Sequence, residues 1–563
     1  MKRTGLLAAG ATGLVLGLLA LGPGLAPGFL LSFDMVFTPA PHFSRMTFGL
    51  TGTVPRHVPS DAFAVALSHV LPGDVAQKAV LLGIFVLASV AAASLVPSER
   101  TLPRVAAGAL YAWNPFVAER LLLGHWAFLL GYAALPLVVS AAAGAADRGG
   151  GRRLARALVP AAIGGFAAVA VSALVALAVV LCRDGRRRAV PKTAAALVAL
   201  SLPWLVTGWL RPSGMPGAPE AVGAFAARAD TPFGAVGSLL ALGGAWNASA
   251  VPAAYGTPLL AAVWLAVVVA SLAACWLLRR RAPWPAGGLA AAAGTGFVLA
   301  AFGAVAAPLL RGLIEAWSGF AVLRDGQQYA APLAVAVAVG FGLLVDRALA
   351  RRLDALGVLA VLVPVILLPG LAWGAAGRLH PVQYPDSWER ARRIAAADPV
   401  PGDVLILPWA TYRQYPWNGG RTSLDALPRY LDRRGIVSDA VIIGRTVIPA
   451  EDPRARRLDP LVSGGGPLTA GLRAAGIRYV AFDAETSGNP YYARLAGAHR
   501  VLADRDLVLY RVDDPARTDE RGAPVAPAVI AWVIALMSVV WSFAASGITL
   551  ATRTLRDPRG KAP

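Results

Sequence analysis

A single carboxylate follows the first apolar segment of the chain and could take part in acid–base chemistry. Asp34 stands shortly after this segment, which covers residues 5–24. A carboxylate close to a membrane helix end lies at the bilayer interface, where partial burial and nearby cations shift its pKa. Asp34 is therefore a candidate general base. The alternative is that Asp34 caps a short interfacial helix or faces water.

The rest of this loop contains further side chains that could contact a substrate. They are two histidines, two arginines and a second carboxylate: His42, Arg45, Arg56, His57 and Asp61. Histidines there could assist proton transfer. They could also bind a divalent metal ion, but the irregular spacing of the loop histidines is a weak metal signal. No other cofactor is indicated.

A second polar cluster follows Asn114 and Pro115, which should open or kink a helix. Glu119, Arg120 and His125 are costly near the membrane unless they are paired or hydrated. They could form a wall of a polar pocket that continues from the first loop. The alternative is an ion pair at the interface, within a belt of tryptophans.

A third cluster precedes an apolar run late in the chain and consists of Arg324, Asp325, Gln327 and Gln328, after an earlier Arg311. Arginine binds phosphate oxygens with two parallel hydrogen bonds, so this cluster suits a phosphate or pyrophosphate. The alternative is an arginine that reaches toward the headgroups and an aspartate that caps a helix.

The composition indicates which elements must position these residues. The chain has 563 residues, of which 56% are hydrophobic and 15% charged, and its mean hydropathy is +0.59. This is too apolar for a soluble protein and indicates a membrane protein. The formal charge of +20 lies in short stretches between apolar runs, which is typical of cytoplasmic loops rather than of a nucleic-acid partner. Two cysteines exclude a disulfide framework.

Apolar runs of about 20 residues, enough to cross a bilayer, recur along the chain. The clear runs are 5–24, 78–97, 126–146, 192–210, 255–278, 286–310, 355–376 and 525–551, and the weaker ones are 104–122 and 329–346. The first run could also be read as a signal peptide, although it lacks a clean cleavage site.

Basic clusters predict the orientation of these runs. They lie at 2–3, 100–104, 148–156, 183–192, 279–281, 347–352 and 553–561. If all are cytoplasmic, an even number of crossings must separate neighbouring clusters. The run at 157–182 is therefore predicted to be two short helices that turn near Gly164 and Gly165. The result is a multi-pass protein of the plasma membrane with about twelve transmembrane helices and both termini in the cytoplasm.

The predicted organisation has three parts: a polytopic membrane domain at 1–377, a domain at 378–524, and a last helix with a tail at 525–563. Residues 378–524 are nearly balanced in charge and contain no run that could span a membrane. Strand-like runs at 404–407, 477–482, 499–502 and 507–512 alternate with helical patterns near 386–397, 468–475 and 490–497. This pattern predicts a small extracytoplasmic α/β domain. It contains no nucleophile elbow, phosphate-binding loop or dinucleotide fingerprint.

The parity of the crossings places several segments on the extracytoplasmic side together with this domain. They are 25–77, a turn at 119–126, 211–254 and 311–328. All three polar clusters should therefore face the same side of the membrane. Residues 211–254 could form an interfacial helix and loop that cover an opening toward the lipid.

The sequences Tyr111-Ala-Trp-Asn-Pro-Phe-Val-Ala-Glu-Arg120, Leu323-Arg-Asp-Gly-Gln-Gln-Tyr329 and Gly476-Ile-Arg-Tyr-Val480 resemble multi-pass envelope proteins of high-GC Gram-positive bacteria. Together with an Asp in the first outer loop and a late α/β domain, the chain resembles the GT-C superfamily of membrane glycosyltransferases. Unlike some members, it lacks a paired Asp-Asp or Asp-Glu motif, so Asp34 is assigned by position.

The resemblance implies an α-helical polytopic GT-C-like fold and an inverting transfer of a sugar from a polyprenyl-phosphate donor. Asp34 would be the base, and Arg324 and Arg120 would hold the donor phosphate. The implied partners are membrane lipids and an envelope glycan, lipid or protein acceptor. Two alternatives remain open, a transporter or flippase for lipid-linked substrates and a non-catalytic envelope scaffold.

Overall fold

A computed structural model describes most of the chain, namely residues 2–211, 217–279, 285–443, 446–483, 491–517 and 524–554. Parts of two predicted basic clusters, Arg280 with Arg281 and the residues after 554, lie outside the described residues.

Helices account for most of the described chain. Before the sheet domain they are α1 Lys2–Leu21, α2 Ser60–Ser68, α3 Gly73–Leu95, α4 Thr101–Ala112, α5 Pro115–Leu122, α6 Trp126–Ala143, α7 Gly150–Ile163, α8 Gly165–Leu181, α9 Arg186–Trp209, α10 Gly234–Leu240, α11 Pro258–Leu277, α12 Ala286–Val305, α13 Ala307–Ala316, α14 Ala331–Ala350, α15 Asp354–Leu367 and α16 Ala372–Gly377, which contains left-handed backbone angles. Within and after the sheet domain they are α17 Asp386–Ala397, α18 Leu427–Tyr430, α19 Pro453–Ser463, α20 Thr469–Ala474, α21 Tyr491–Arg494 and α22 Val525–Thr554.

Eight helices of the described chain are long and apolar enough to cross a membrane, and α8 and α15 are shorter apolar helices. The chain is therefore a multi-pass membrane protein, while the number of about twelve crossings stays a prediction. The most apolar stretches of α6 and α14 are each 67% buried, whereas that of α22 is 22% buried. Helices α6 and α14 thus lie at the centre of the bundle, and α22 lies at its periphery with an apolar surface suited to lipid.

The predicted division of residues 157–182 is present. Helix α7 ends at Ile163 and α8 begins at Gly165, which has a φ of +74°. Ala161 and Ala168, on either side of this break, both contact Gly131 of α6. The two helices therefore form a hairpin that packs against α6. Gly165 permits the sharp reversal between them, because glycine readily adopts the left-handed conformation.

The bundle has a basic end and a domain end. At the basic end, Arg100 pairs with Asp346 and Arg153 pairs with Asp147, and Lys192 donates hydrogen bonds to backbone carbonyls between α6 and α7. The described basic clusters thus lie opposite the sheet domain, as the charge pattern predicts. Which side of the membrane each end faces stays a prediction.

The described residues of the sheet domain form nine short strands: β1 Asp403–Leu407, β2 Tyr412–Gln414, β3 Thr422–Leu424, β4 Gly435–Ile436, β5 Val441–Ile443, β6 Thr446–Ile448, β7 Ile477–Phe482, β8 His499–Ala503 and β9 Val508–Arg511. The main sheet has the order β4-β1-β7-β9-β8, in which β1 is parallel to β4 and β7, while β9 is antiparallel to β7 and β8. Strands β2 and β3 form a separate hairpin, and so do β5 and β6. This is the α/β architecture expected from the alternating strand and helix patterns.

The first loop joins the membrane helices to the sheet domain through backbone hydrogen bonds. Phe29 exchanges two of them with Val382, with N···O distances of 2.8 and 2.9 Å. Phe33 N donates to the carbonyl of Thr422, and Leu424 N donates to the carbonyl of Phe33. The loop therefore continues the β2–β3 hairpin as an added extended segment, which holds Asp34 against the domain.

Candidate active site

A cavity of about 420 Å³ lies at the domain end, between the helices and the sheet domain. It is lined by residues from every segment predicted to be extracytoplasmic: the first loop, the α5–α6 turn, residues 225 and 246, residues 324–328 and the sheet domain. The turn between α7 and α8 also contributes to the wall. Segments far apart in sequence therefore meet around one space.

Most of the predicted site residues line this cavity. They are Asp34, Arg56, His57, Asp61, Arg120, His125, Arg324, Asp325, Gln327 and Gln328. His42, Arg45 and Glu119 do not line it. The three polar clusters of the sequence thus converge, as an enzyme requires and a scaffold does not.

Asp34 is held from two sides. Its backbone N–H donates to the carbonyl of Leu123 at 3.1 Å, and the neighbouring Ser32 hydroxyl donates to the carbonyl of Leu122 at 2.7 Å. On the domain side, the Tyr412 hydroxyl donates to Asp34 Oδ1 at 2.7 Å. His125 Nε2 lies 3.4 Å from Asp34 Oδ2. The carboxylate is therefore oriented by both the helix bundle and the sheet domain.

These contacts determine the charge of Asp34. Burial raises its pKa, but the hydrogen bond and positive charge of His125, followed by the hydrogen bond from Tyr412, lower it by more, and the pKa falls to about 2. Asp34 is thus a carboxylate at neutral pH. The carboxylate carries no proton, so it can accept one, as a general base must.

Arg120 reaches the cavity from α5. Asn114 caps this helix by accepting a hydrogen bond from Val117 N, and Pro115 occupies the first helical turn, so the predicted break after α4 is present. Arg120 is 3% exposed and lies over the Phe116 ring, with 4.2 Å between Cζ and the ring centroid. Its Nη1 makes no hydrogen bond to any described residue and faces the carboxylate of Glu119, while the side chain lines the cavity.

Glu119 lies behind Arg120 and away from the cavity. It is fully buried, and its Oε2 is 3.6 Å from Arg120 Nη1. The same oxygen accepts a hydrogen bond from Ala245 N at 3.2 Å. Glu119 therefore ties Arg120 and α5 to the segment after α10, and it does not line the cavity.

Arg324 also lines the cavity. Its guanidinium packs over the Phe225 ring, with Cζ 4.6 Å from the centroid. Burial lowers the pKa of Arg324, with a further lowering by the charge of Arg56, although a guanidinium stays protonated at neutral pH. The side-chain atoms Arg324 Nε and Gln327 Oε1 are buried without a hydrogen-bond partner in the described chain. Arg324 therefore offers a buried, charged donor to an anionic ligand, whereas the Gln327 oxygen can only accept a hydrogen bond.

The other two predicted residues lie beside the cavity. His42 lines a neighbouring small cavity, and its Nδ1 is 3.3 Å from Asp432 Oδ1. Arg45 turns back to the carbonyl of Leu50 at 3.4 Å. The loop folds over itself between these residues and Arg56, so closeness in sequence does not bring them to the same wall.

The sheet domain contributes charged and polar groups that the sequence analysis did not identify. Tyr412 contacts Asp34, Arg429 binds Asp61 through Nη2 at 3.1 Å, and Glu451 pairs with Arg56. A usable signal is that Tyr412 follows the carboxyl end of β1. Loops at the carboxyl ends of parallel strands commonly carry binding residues.

Gly124 fixes the distance between the α5–α6 turn and Asp34. It has a φ of +77°, and a Cβ atom at this position would collide with Met35 N and the Ser32 carbonyl oxygen. We expect Gly124→Ala to lower stability by about 1–3 kcal/mol and to displace the first loop. Thermal unfolding of the purified protein would measure this loss.

The matched control is Gly83→Ala in α3, where a Cβ atom has no neighbour within 4 Å. Alanine is favoured over glycine inside a helix by up to about 1 kcal/mol, so this variant should be at least as stable as wild type. Equal unfolding temperatures for the two variants would contradict the proposed role of Gly124.

Among the residues that the structure describes, no group of three or more His, Cys, Asp or Glu side chains is arranged to hold a metal ion. The divalent metal considered from the loop histidines thus gains no support from their positions.

Comparisons with known proteins were made for sequence and structure. No family model matches the sequence, and no curated protein matches it significantly. Among solved structures, the arabinofuranosyltransferase AftD from Mycobacteria is similar, with a TM-score of 0.55 and 17% identity over 92% of this chain. A second AftD structure, of a variant, gives a TM-score of 0.57 and 18% identity over 93% of the chain. The crystal structure of ArnT from Cupriavidus metallidurans bound to undecaprenyl phosphate gives a TM-score of 0.45 and 14% identity over 91% of this chain and 98% of ArnT.

The chain spans 40% to 42% of the length of the AftD structures. At this level of identity the likeness establishes the arrangement of the helices and the domain, and the reaction must be argued from the site. The resemblance noted from the sequence is confirmed at the level of the fold: the chain is a multi-pass membrane protein whose fold is similar to that of the arabinofuranosyltransferase AftD.

Proposed function

We propose that the protein is a membrane glycosyltransferase. It moves a sugar from a polyprenyl-phosphate donor to an envelope acceptor on the extracytoplasmic face, with inversion at the anomeric carbon. The observation that carries the proposal is the position of Asp34 in one cavity with Arg120 and Arg324. A base and two phosphate-binding cations are the groups that this reaction needs.

The basic wall of the cavity suits the donor phosphate. Arg324 Nε is buried without a hydrogen-bond partner in the described chain, and Arg120 lines the same cavity. Hydrogen bonds from a guanidinium to phosphate are charge-assisted and can be bidentate. As the bond from the sugar to the phosphate breaks, negative charge grows on the leaving oxygen, and these fixed cations stabilise it.

Asp34 is the proposed general base. Its carboxylate accepts the proton of the acceptor hydroxyl while the hydroxyl oxygen attacks the anomeric carbon. The bond between that carbon and the phosphate oxygen breaks in the same step, and polyprenyl phosphate leaves on the opposite face. A single displacement of this kind inverts the anomeric configuration. It needs neither a nucleotide nor a redox cofactor.

Arg324→Gln should weaken donor binding. The change removes charge-assisted hydrogen bonds worth about 1.5–3 kcal/mol, so we expect the donor KM to rise roughly 10- to 100-fold. Steady-state kinetics at varied donor concentration would measure the rise. Arg311→Gln is the matched control, because Arg311 is an exposed arginine of α13 that does not line the cavity. A donor KM equal to that of the control would remove Arg324 from the proposed phosphate site.

The direct test uses the full chain in lipid nanodiscs with a radiolabelled polyprenyl-phosphate sugar and an extract of envelope acceptors. The proposal expects label in a product that NMR shows to have the inverted anomeric configuration. Retained configuration would exclude the single displacement. If the protein in sealed vesicles moves the labelled lipid across the bilayer without transfer, a flippase is supported. With neither activity, the scaffold alternative is favoured.

A further inference from the structure

We propose that His125 completes a proton relay with Asp34 and makes sugar transfer dependent on pH. In this relay, which rests on the proposed function, Asp34 takes the proton of the acceptor hydroxyl and passes it to His125. His125 then releases the proton to water in the cavity.

The geometry places the two side chains for this exchange. His125 Nε2 faces Asp34 Oδ2 at 3.4 Å, while Tyr412 donates to the other carboxylate oxygen at 2.7 Å. Each backbone is anchored to the same turn, since Asp34 N donates to the Leu123 carbonyl and His125 N donates to the Arg120 carbonyl. Both side chains are partly exposed in the cavity, His125 by 24% and Asp34 by 33%. The pair is therefore rigidly spaced and open to a substrate and to water.

The proton that Asp34 takes from the acceptor must be passed on before Asp34 can act as a base again. When the acceptor oxygen bonds to the anomeric carbon, its O–H bond breaks and the proton moves to Asp34 Oδ2. The hydrogen bond from Tyr412 to Oδ1 favours the ionised form of Asp34, so the carboxyl group gives the proton up readily. In the neutral tautomer of His125 that carries its proton on Nδ1, Nε2 is the adjacent acceptor, and transfer to it restores the carboxylate. No oxidant, reductant or further reactant is needed.

His57 is the other histidine of this wall, and it makes no hydrogen bond or ion pair with Asp34 among the described contacts. Burial lowers the pKa of His57, and the charge of Arg429 lowers it further, whereas Asp61 and Asp34 raise it. His57 is thus disfavoured as a proton acceptor. The arrangement favours His125, which contacts Asp34 directly.

Other charged groups surround the pair from each neighbouring element. Arg120 comes from α5, Arg56 from the first loop, and Arg324 with Asp325 from the segment before α14. The Asp61–Arg429 ion pair joins α2 to α18. Arginine stays charged at neutral pH, so Arg120, Arg56 and Arg324 contribute a constant positive field around the pair.

The relay predicts the direction of the pH dependence. If His125 is already protonated before turnover, it forms an ion pair with Asp34 and cannot receive another proton. Transfer should therefore slow on acidification, which protonates the imidazole. The pKa of Asp34 is lowered from its usual range, so protonation of this carboxylate would slow transfer only at much lower pH.

The test compares pH–rate profiles of the full chain in nanodiscs with a saturating polyprenyl-phosphate sugar. His125→Gln keeps a side chain that can hydrogen-bond to Asp34 but cannot carry the proton. We expect kcat at neutral pH to fall about tenfold or more, KM to change little, and the acid limb to disappear. His499→Gln is the matched control, because His499 is an exposed residue of β8. It should keep both the rate and the limb of wild type.

A second variant separates proton transfer from positioning. His125→Ala should be slow and should regain rate when free imidazole is added, because imidazole can take the vacated place. A wild-type acid limb in His125→Gln, or a failure of imidazole to restore any rate to His125→Ala, would overturn the relay. If wild type transfers no sugar at any pH, the proposed function itself fails, and this outcome is distinct from the other two.

Discussion

Replacing Asp34 with asparagine is expected to lower the rate of sugar transfer by about 10²- to 10⁴-fold, the usual contribution of a general base. Asparagine has nearly the same size and keeps an oxygen that can accept the hydrogen bond from Tyr412. Its amide, however, cannot take a proton from the acceptor. The loss should appear in kcat. The donor KM should stay close to that of wild type, because Arg120 and Arg324, rather than Asp34, are proposed to hold the donor phosphate.

The matched control for this prediction is Asp147→Asn. Asp147 is an exposed aspartate at the basic end of the bundle, paired with Arg153. The Asp147→Asn variant should leave the rate of sugar transfer unchanged. Equal turnover by wild type and Asp34→Asn would exclude Asp34 as the base and with it the proposed mechanism. A loss of donor binding in Asp34→Asn would instead assign Asp34 to the donor site.

Asp425→Asn is expected to destabilise the protein by about 3–5 kcal/mol, the range found when one partner of a buried ion pair is removed. Asp425 is 1% exposed and Arg413 is 4% exposed, with Nη2 3.0 Å from Oδ2. Asp425 Oδ1 also accepts hydrogen bonds from the Tyr415 hydroxyl and from Leu427 N, both at 2.9 Å. The substitution removes the carboxylate that is hydrogen-bonded to the buried guanidinium of Arg413.

The expected result has a functional consequence as well. The ion pair supports the β2–β3 hairpin, which carries Tyr412 and joins the first loop, so transfer should weaken together with stability. Thermal unfolding of the purified protein would measure the stability change. The exposed pair of Asp147 and Arg153 again provides the control, because breaking a surface pair costs about 1 kcal/mol or less. If Asp425→Asn unfolds at the same temperature as Asp147→Asn, the buried pair does not stabilise the domain.

Local sequence patterns predicted the longer elements of the sheet domain. Strands β1 and β7 are runs of apolar residues that the structure buries, and α17 lies within the predicted 386–397. Strands β2 and β3 were missed, because three residues are too few to establish an alternating pattern. Helix α19 was also missed, since it begins with proline and is rich in arginine. The sequence pattern therefore does not predict these short elements, whose conformation depends on contacts with neighbouring segments.

The bundle and part of the candidate site followed from simple constraints. The basic flanks of residues 157–182 required two helices, and the glycines near 164 marked the turn. Asp34 was selected by its position after the first apolar run and Arg324 because arginine suits a phosphate. Arg120 was selected because a charge near the membrane is costly unless it is paired or hydrated. Their roles remain proposals that the kinetic experiments address.

The contacts between segments could not be read from the sequence. Asp34 and Tyr412 are 378 positions apart, and only the pairing of the first loop with the β2–β3 hairpin brings them together. Glu119 and Arg120 are adjacent in sequence, yet one is buried behind the other, because successive helical residues point in different directions. Hydropathy and charge thus determined the membrane character, the relative ends of the bundle and the polar clusters, since these depend on each residue and its neighbours. Tertiary packing decided which charges pair, which face the cavity and which side chains orient Asp34, since those depend on distances between remote segments.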